Sequence, residues 1–139
     1  MDERAEFNLK LAKERLTVSK KLLDEEFYMD SVNRSYYAIF YTARALVAKD
    51  ELDFSKHSAV ISYFRKNYVK TGIFDVRFSK YIGDAFDLRN DGDYTYFVNI
   101  EKDDAEIQYN HAVEFYDEVK NYLEKLENAT RRGSIITTT

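Results

Sequence analysis

Arg89 is the residue of this sequence that most needs a chemical explanation. On a helical wheel, Phe78, Ile82 and Ala85 define one apolar stripe, and Arg89 falls within about 40° of them. A guanidinium buried there without a partner is costly, so it must pair, face a cleft or sit at an interface. The alternative is an arginine near a helix end, its stem in the core and its head in water. His57, near the start of an expected helix, could act as acid, base or phosphate contact. It could equally be an ordinary first-turn surface histidine.

Other chemistries fail on residue type or spacing. The chain has no cysteine, which excludes disulfides, thiolate metal sites and cysteine nucleophiles. Read as a calcium loop starting at Asp87, the sequence offers Arg89 as third ligand and Val98 as twelfth. His111 with Glu114 reverses the order of the bundle carboxylate motif and occurs in one copy. There is no glycine-rich phosphate loop and no Ser-His-Asp arrangement. No metal and no cofactor is therefore expected. Twelve tyrosines and ten phenylalanines could stack on bases, but most lie on apolar stripes and read as core. Tyr94 and Tyr96, in the stretch after the Arg89 helix, are the exceptions.

The elements that must position these groups are helical. A first helix is expected from Asp2 to Asp24, with Leu9, Ala12, Leu16, Ser19 and Leu23 on one face. A second, Tyr28 to Lys49, is apolar nearly all round, the mark of a central helix. Its Ser31, Ser35, Ala38, Thr42 and Ala45 keep one flank small. Ser55 is the expected cap of a third helix reaching Thr71, with Gly72 ending it. A fourth runs from Asp75 to Arg89–Asp91, with Gly92 at its left-handed stop and Gly83 inside it at a modest cost. A short alternating stretch follows near Tyr94 to Ile100. Ala105, Tyr109, Ala112, Tyr116, Val119, Leu123 and Leu126 mark a fifth helix, with Asp103 and Glu106 as a capping-box-like start. The expected fold class is all-α, an up-and-down bundle of four to five helices over residues 1–128, and a flexible tail over 129–139.

Composition fits that reading. At 139 residues, with 45% apolar and 33% charged residues, the chain can bury one core without metal or disulfide support. No apolar run approaches the roughly 20 residues that span a bilayer, and Met1–Arg4 opens directly into a charged helical pattern. A cytoplasmic protein without membrane contact is expected. The net charge of −4 argues against a general polyanion binder, yet it is unevenly spread. Lys56 to Arg89 holds seven basic and three acidic residues, whereas Asp91 to Asn128 holds eleven acidic and three basic. This reads either as solvated helix faces or as a basic middle surface for phosphate.

Three stretches resemble a known family. Asn33-Arg34-Ser35-Tyr36-Tyr37-Ala38-Ile39-Phe40-Tyr41-Thr42-Ala43-Arg44-Ala45-Leu46 resembles the second helix of small stand-alone HEPN proteins (higher eukaryotes and prokaryotes nucleotide-binding). Lys56-His57-Ser58-Ala59-Val60, with Phe64 and Tyr68-Val69-Lys70-Thr71-Gly72, is similar to their third helix. Leu88-Arg89-Asn90-Asp91-Gly92-Asp93-Tyr94 matches their Arg-x-x-x-Asp-Tyr ending of helix 4. The resemblance runs from about Leu9 to Leu126 and implies a bundle that forms a homodimer. Many HEPN proteins are metal-independent ribonucleases whose Arg-x4-6-His motif pairs across the dimer. Others are toxin–antitoxin partners of a small nucleotidyltransferase. Arg89 matches the motif arginine, but Tyr94 stands where a motif histidine would be, and no histidine occurs before His111. A tyrosine of ordinary pKa about 10 is a poor base at neutral pH.

The resemblance therefore implies a catalytically degenerate site that binds nucleotide or RNA phosphate through Arg89. Asn90, Asp93 and Tyr94 would shape the cleft, joined by Asn33 and Tyr37. Two alternatives stay open: a ribonuclease using Arg89 with His57 or Tyr94, and a module that only binds protein.

Overall fold

The computed structural model describes the backbone of residues 1–94 and 99–138, and the side chains of residues 1–90 and 99–132. Its helices are α1 (Glu3–Asp24), α2 (Tyr28–Lys49), α3 (His57–Phe64), α4 (Val76–Tyr94) and α5 (Lys102–Thr138). The all-α bundle expected from the periodicity is thus observed. The alternating stretch expected near Tyr94, with Tyr96, lies largely outside the described residues.

α2 packs against all four other helices, as its all-round apolar surface requires. Its small flank meets α1 closely. Ser19, Ser31 and Ser35 are fully buried, and Ser19 Oγ lies 2.7 Å from Ser35 Oγ and 3.1 Å from Ser31 Oγ. Ser31 Oγ donates to the Ser19 carbonyl at 2.9 Å, so these hydroxyls satisfy one another without water. Both helices stop in the same way. Glu26 and Glu51 adopt φ of 69° and 62°, and Phe27 and Leu52 donate back to Leu22 and Val47, the pattern of a left-handed helix stop.

The third helix differs from expectation at both ends. Lys56, in extended conformation, is the cap residue in place of Ser55, and no side chain caps the helix. His57 becomes its first residue, with its ring turned onto α2. From Arg65 to Val69 the helix widens into a π-helical turn, and Gly72 ends the segment at φ 83°. The widened turn carries Tyr68 inward, where its hydroxyl donates to Asp50 Oδ2 at 2.7 Å. Tyr63 donates to the same oxygen at 2.7 Å, and Lys49 pairs with Oδ1 at 3.1 Å.

Asp75 caps α4, accepting from the Arg77 amide at 2.9 Å. The helix does not stop at Gly92 but continues to Tyr94, since glycine only disfavours a helix interior weakly. Gly83 has a use: a Cβ there would strike the Arg65 guanidinium, which lies over it. α5 starts two residues earlier than its expected capping box. Asp104 accepts from the Glu101 amide at 3.0 Å, making Glu101 the cap. At the other end the backbone from Ala129 stays helical to Thr138, and Arg131 pairs with Glu127 one turn back at 3.0 Å.

Asp50 ties α3 to the end of α2. Burial alone would raise its carboxyl, but the donors Tyr68, Tyr63 and Lys49 outweigh it and hold it below the usual range. Burial and Asp50 together push Tyr63 up to about 12. A carboxyl lowered on folding stabilises fully above its unfolded value and loses that stabilisation as pH falls through the folded one. Asp50→Ala is expected to cost on the order of 2 kcal/mol at neutral pH by stranding two tyrosine hydroxyls. The gap from wild type should narrow in acid. Urea unfolding at neutral and acid pH checks both, and an unchanged neutral midpoint contradicts the assignment.

Candidate functional site

The residues with chemical potential converge where the start of α3 meets the last turns of α4, over the first half of α2. Tyr36, on α2, is fully buried, and its hydroxyl lies 2.7 Å from His57 Nδ1. The His57 ring stacks on Phe40 with centroids 4.0 Å apart and meets Tyr37 edge-on at 5.9 Å. Arg89, half-buried on α4, donates to the Tyr37 hydroxyl at 3.1 Å and to Asn90 Oδ1 at 3.2 Å. Its Cζ stands 5.5 Å from the Tyr36 ring centre and 5.4 Å from that of Tyr37, both within cation–π range. Arg89 is therefore held by aromatic rings and a tyrosine hydroxyl at the edge of the core.

Electrostatics follow from this crowding. Burial, then the positive charges of Arg89 and Arg44, hold the His57 imidazole below its ordinary range. It is neutral at physiological pH. Burial chiefly pushes the Tyr36 phenol up, so it keeps its proton. That proton needs an acceptor, and among the described residues the one hydrogen bond of Tyr36 is to His57 Nδ1. Tyr36 therefore donates, Nδ1 accepts, and the neutral ring carries its own proton on Nε2. The opposite tautomer would leave a buried phenol proton unbonded, at a cost of about 1–3 kcal/mol. The site thus combines a guanidinium with an imidazole N–H: donors suited to an anion rather than a ready base.

Of the residues expected at the site, Arg89, His57, Asn90 and Tyr37 are brought together. Asn33 is half-buried one turn before Tyr37 on α2, and no hydrogen bond joins it to the cluster among the described residues. The side chains of Asp93 and Tyr94 lie outside the described residues. Tyr36 and Phe40, on the all-round apolar second helix, read as core, and they do pack there. Yet Tyr36 also fixes the histidine. A tyrosine on a fully apolar stripe must find a partner for its hydroxyl, and that requirement was the available signal. Among the described residues no group of three His, Cys, Asp or Glu could hold a metal ion, and no helix is long and apolar enough to cross a membrane.

Removing the nearby positive charge should free His57 to titrate higher. In Arg89→Ala the His57 pKa, followed by NMR through its ring protons, is expected to rise. That of His111, which burial lowers independently, should stay in place. An unmoved His57 would show that the two groups do not interact.

Comparison with known proteins agrees with the fold. A model described as "HEPN domain" matches residues 5–122. A Thermotoga maritima protein named UPF0332 protein is 36% identical over 118 residues, 85% of this chain and 89% of that one. Two Methanocaldococcus jannaschii proteins are similarly close. "Putative toxin MJ0142" is 36% identical over 112 residues, 81% of this chain and 76% of its own. "Putative toxin MJ0605" is 33% identical over 118 residues, 85% of this chain and 87% of its own. With its helical bundle and a domain match covering most of its length, the chain belongs to the HEPN family.

Proposed function

We propose that this chain is a toxin-like HEPN protein that binds the phosphate of a nucleotide or RNA without cleaving it by itself. The observation that carries this reading is the Tyr36–His57 hydrogen bond beside Arg89. It leaves His57 Nε2 protonated, so Arg89 and His57 both offer hydrogens to phosphate oxygens. Asn90 and Tyr37 hold the guanidinium in place, which lowers the ordering cost of binding. The names of the two archaeal relatives support the toxin-like assignment. The active unit in this reading is a homodimer, working beside a nucleotidyltransferase partner in the cytoplasm.

A second reading is a metal-independent ribonuclease with His57 as base, favoured by the closeness of His57 to Arg89. It needs Nε2 unprotonated, and therefore the costlier tautomer. Labelled RNA incubated in EDTA with wild type, Arg89→Ala and His57→Ala separates the two. The binding reading expects intact RNA retained by wild type and weakened retention by both variants. Cleavage lost in both variants would establish the ribonuclease instead. Neither retention nor cleavage would leave a purely protein-binding role.

A further inference from the structure

The start of α3 lies by the end of α4, where His57 and Arg89 both meet Tyr37, and Arg65, just after α3, reaches Ser79 nearer the start of α4. From Lys56 to Phe74 the chain carries four cations (Lys56, Arg65, Lys66, Lys70) and no carboxylate, within a protein of net charge −4. Ser58, Ser62, Arg65 and Lys66 are exposed, and Ser58, Ser62 and Arg65 share one face of the helix by their spacing. Arg65 is anchored by neutral acceptors. Its Nε donates to Ser79 Oγ at 2.9 Å and its Nη2 to the Ser79 carbonyl at 3.1 Å. No carboxylate pairs with it among the described residues. Among the described residues no ion pair neutralises its charge, and its Nη1 makes no hydrogen bond.

Gly83 makes room for this arrangement, because any Cβ there would collide with the guanidinium. On α4, Ser79, Gly83, Phe86 and Asn90 follow one line by spacing, and half-buried Phe86 contacts the Tyr36 ring at 6.0 Å. By spacing, the Phe86 ring falls along α4 between the Gly83 that Arg65 covers and Arg89. Arg65 is eight residues beyond His57, at the start of the π-helical turn that follows α3, or about 12 Å along a helix. That is too far for one mononucleotide's phosphates to touch both ends.

We propose that this face of α3 and α4 is a track for a single-stranded polynucleotide, running from the Arg89–His57 site to a second phosphate subsite at Arg65. The inference rests on the phosphate-binding reading above and names its ligand as a strand rather than a single nucleotide. Single-strand binding draws on cations that follow the backbone, and this face places exposed Arg65 and Lys66 in line with the Arg89–His57 site. Asp87, exposed one turn beyond Gly83, borders it.

The test is the affinity of a 5′-fluorescein oligouridylate of about a dozen nucleotides, a length within single-strand site sizes. It is measured by anisotropy over a salt series, beside calorimetry with UMP. Arg65→Ala should weaken oligouridylate binding severalfold and reduce the salt slope by about 1, leaving UMP binding unchanged. Lys10→Ala, which removes an exposed charge on α1, should do neither. Arg89→Ala should weaken both ligands. An Arg65→Ala protein that binds the oligomer like wild type, or loses no more than Lys10→Ala, overturns the track. So does a wild type that does not bind the oligomer. If UMP binding survives in Arg89→Ala, the phosphate-site reading fails instead.

Discussion

The hydrogen bond between the Tyr36 hydroxyl and His57 Nδ1 is the constraint on which the site depends. It joins the central helix to the first residue of α3, and it fixes both the orientation of the imidazole and the position of its proton. The bond exists because a phenol buried in the core has nowhere else to place its hydrogen. His57 is in turn stacked against Phe40 and is the first residue of α3. A donor-rich surface follows from a packing requirement.

Arg89 is governed by the same logic. The tyrosine pair on α2 offers its guanidinium two ring faces and one hydroxyl at the edge of an apolar stripe. Burial first, and then this cation beside it, disfavours a positive charge on the His57 ring. The neutral histidine and the charged arginine are therefore one electrostatic unit. The rest of the bundle serves to keep α2, α3 and α4 in register around it. The serine contacts of α1 with α2 do this on one side, and Asp50 with its two tyrosines on the other.

Much of this was legible in the residues. The apolar steps along α1, α2 and α5 define their faces, and Arg89 stands out because it interrupts such a step. The partners of Arg89 were less legible, since only folding brings the start of α3 to the end of α4. Tyr36 looked like core because it is core, and its hydroxyl's role depends on a histidine 21 residues away. Gly83 illustrates the opposite error. Counted as a cost to helix stability, it is also the gap that a neighbouring arginine occupies. Helix ends misled for a simpler reason: glycine at position 92 permits a stop but does not impose one.

The proposed phosphate site requires His57 to present a proton and not a lone pair. Long-range proton–nitrogen correlation NMR of the histidine rings at neutral pH reads this directly. A protonated Nε2 and an unprotonated, hydrogen-bonded Nδ1 are expected for His57. A protonated Nδ1 with a free Nε2 would contradict it and hand the ring the role of a base.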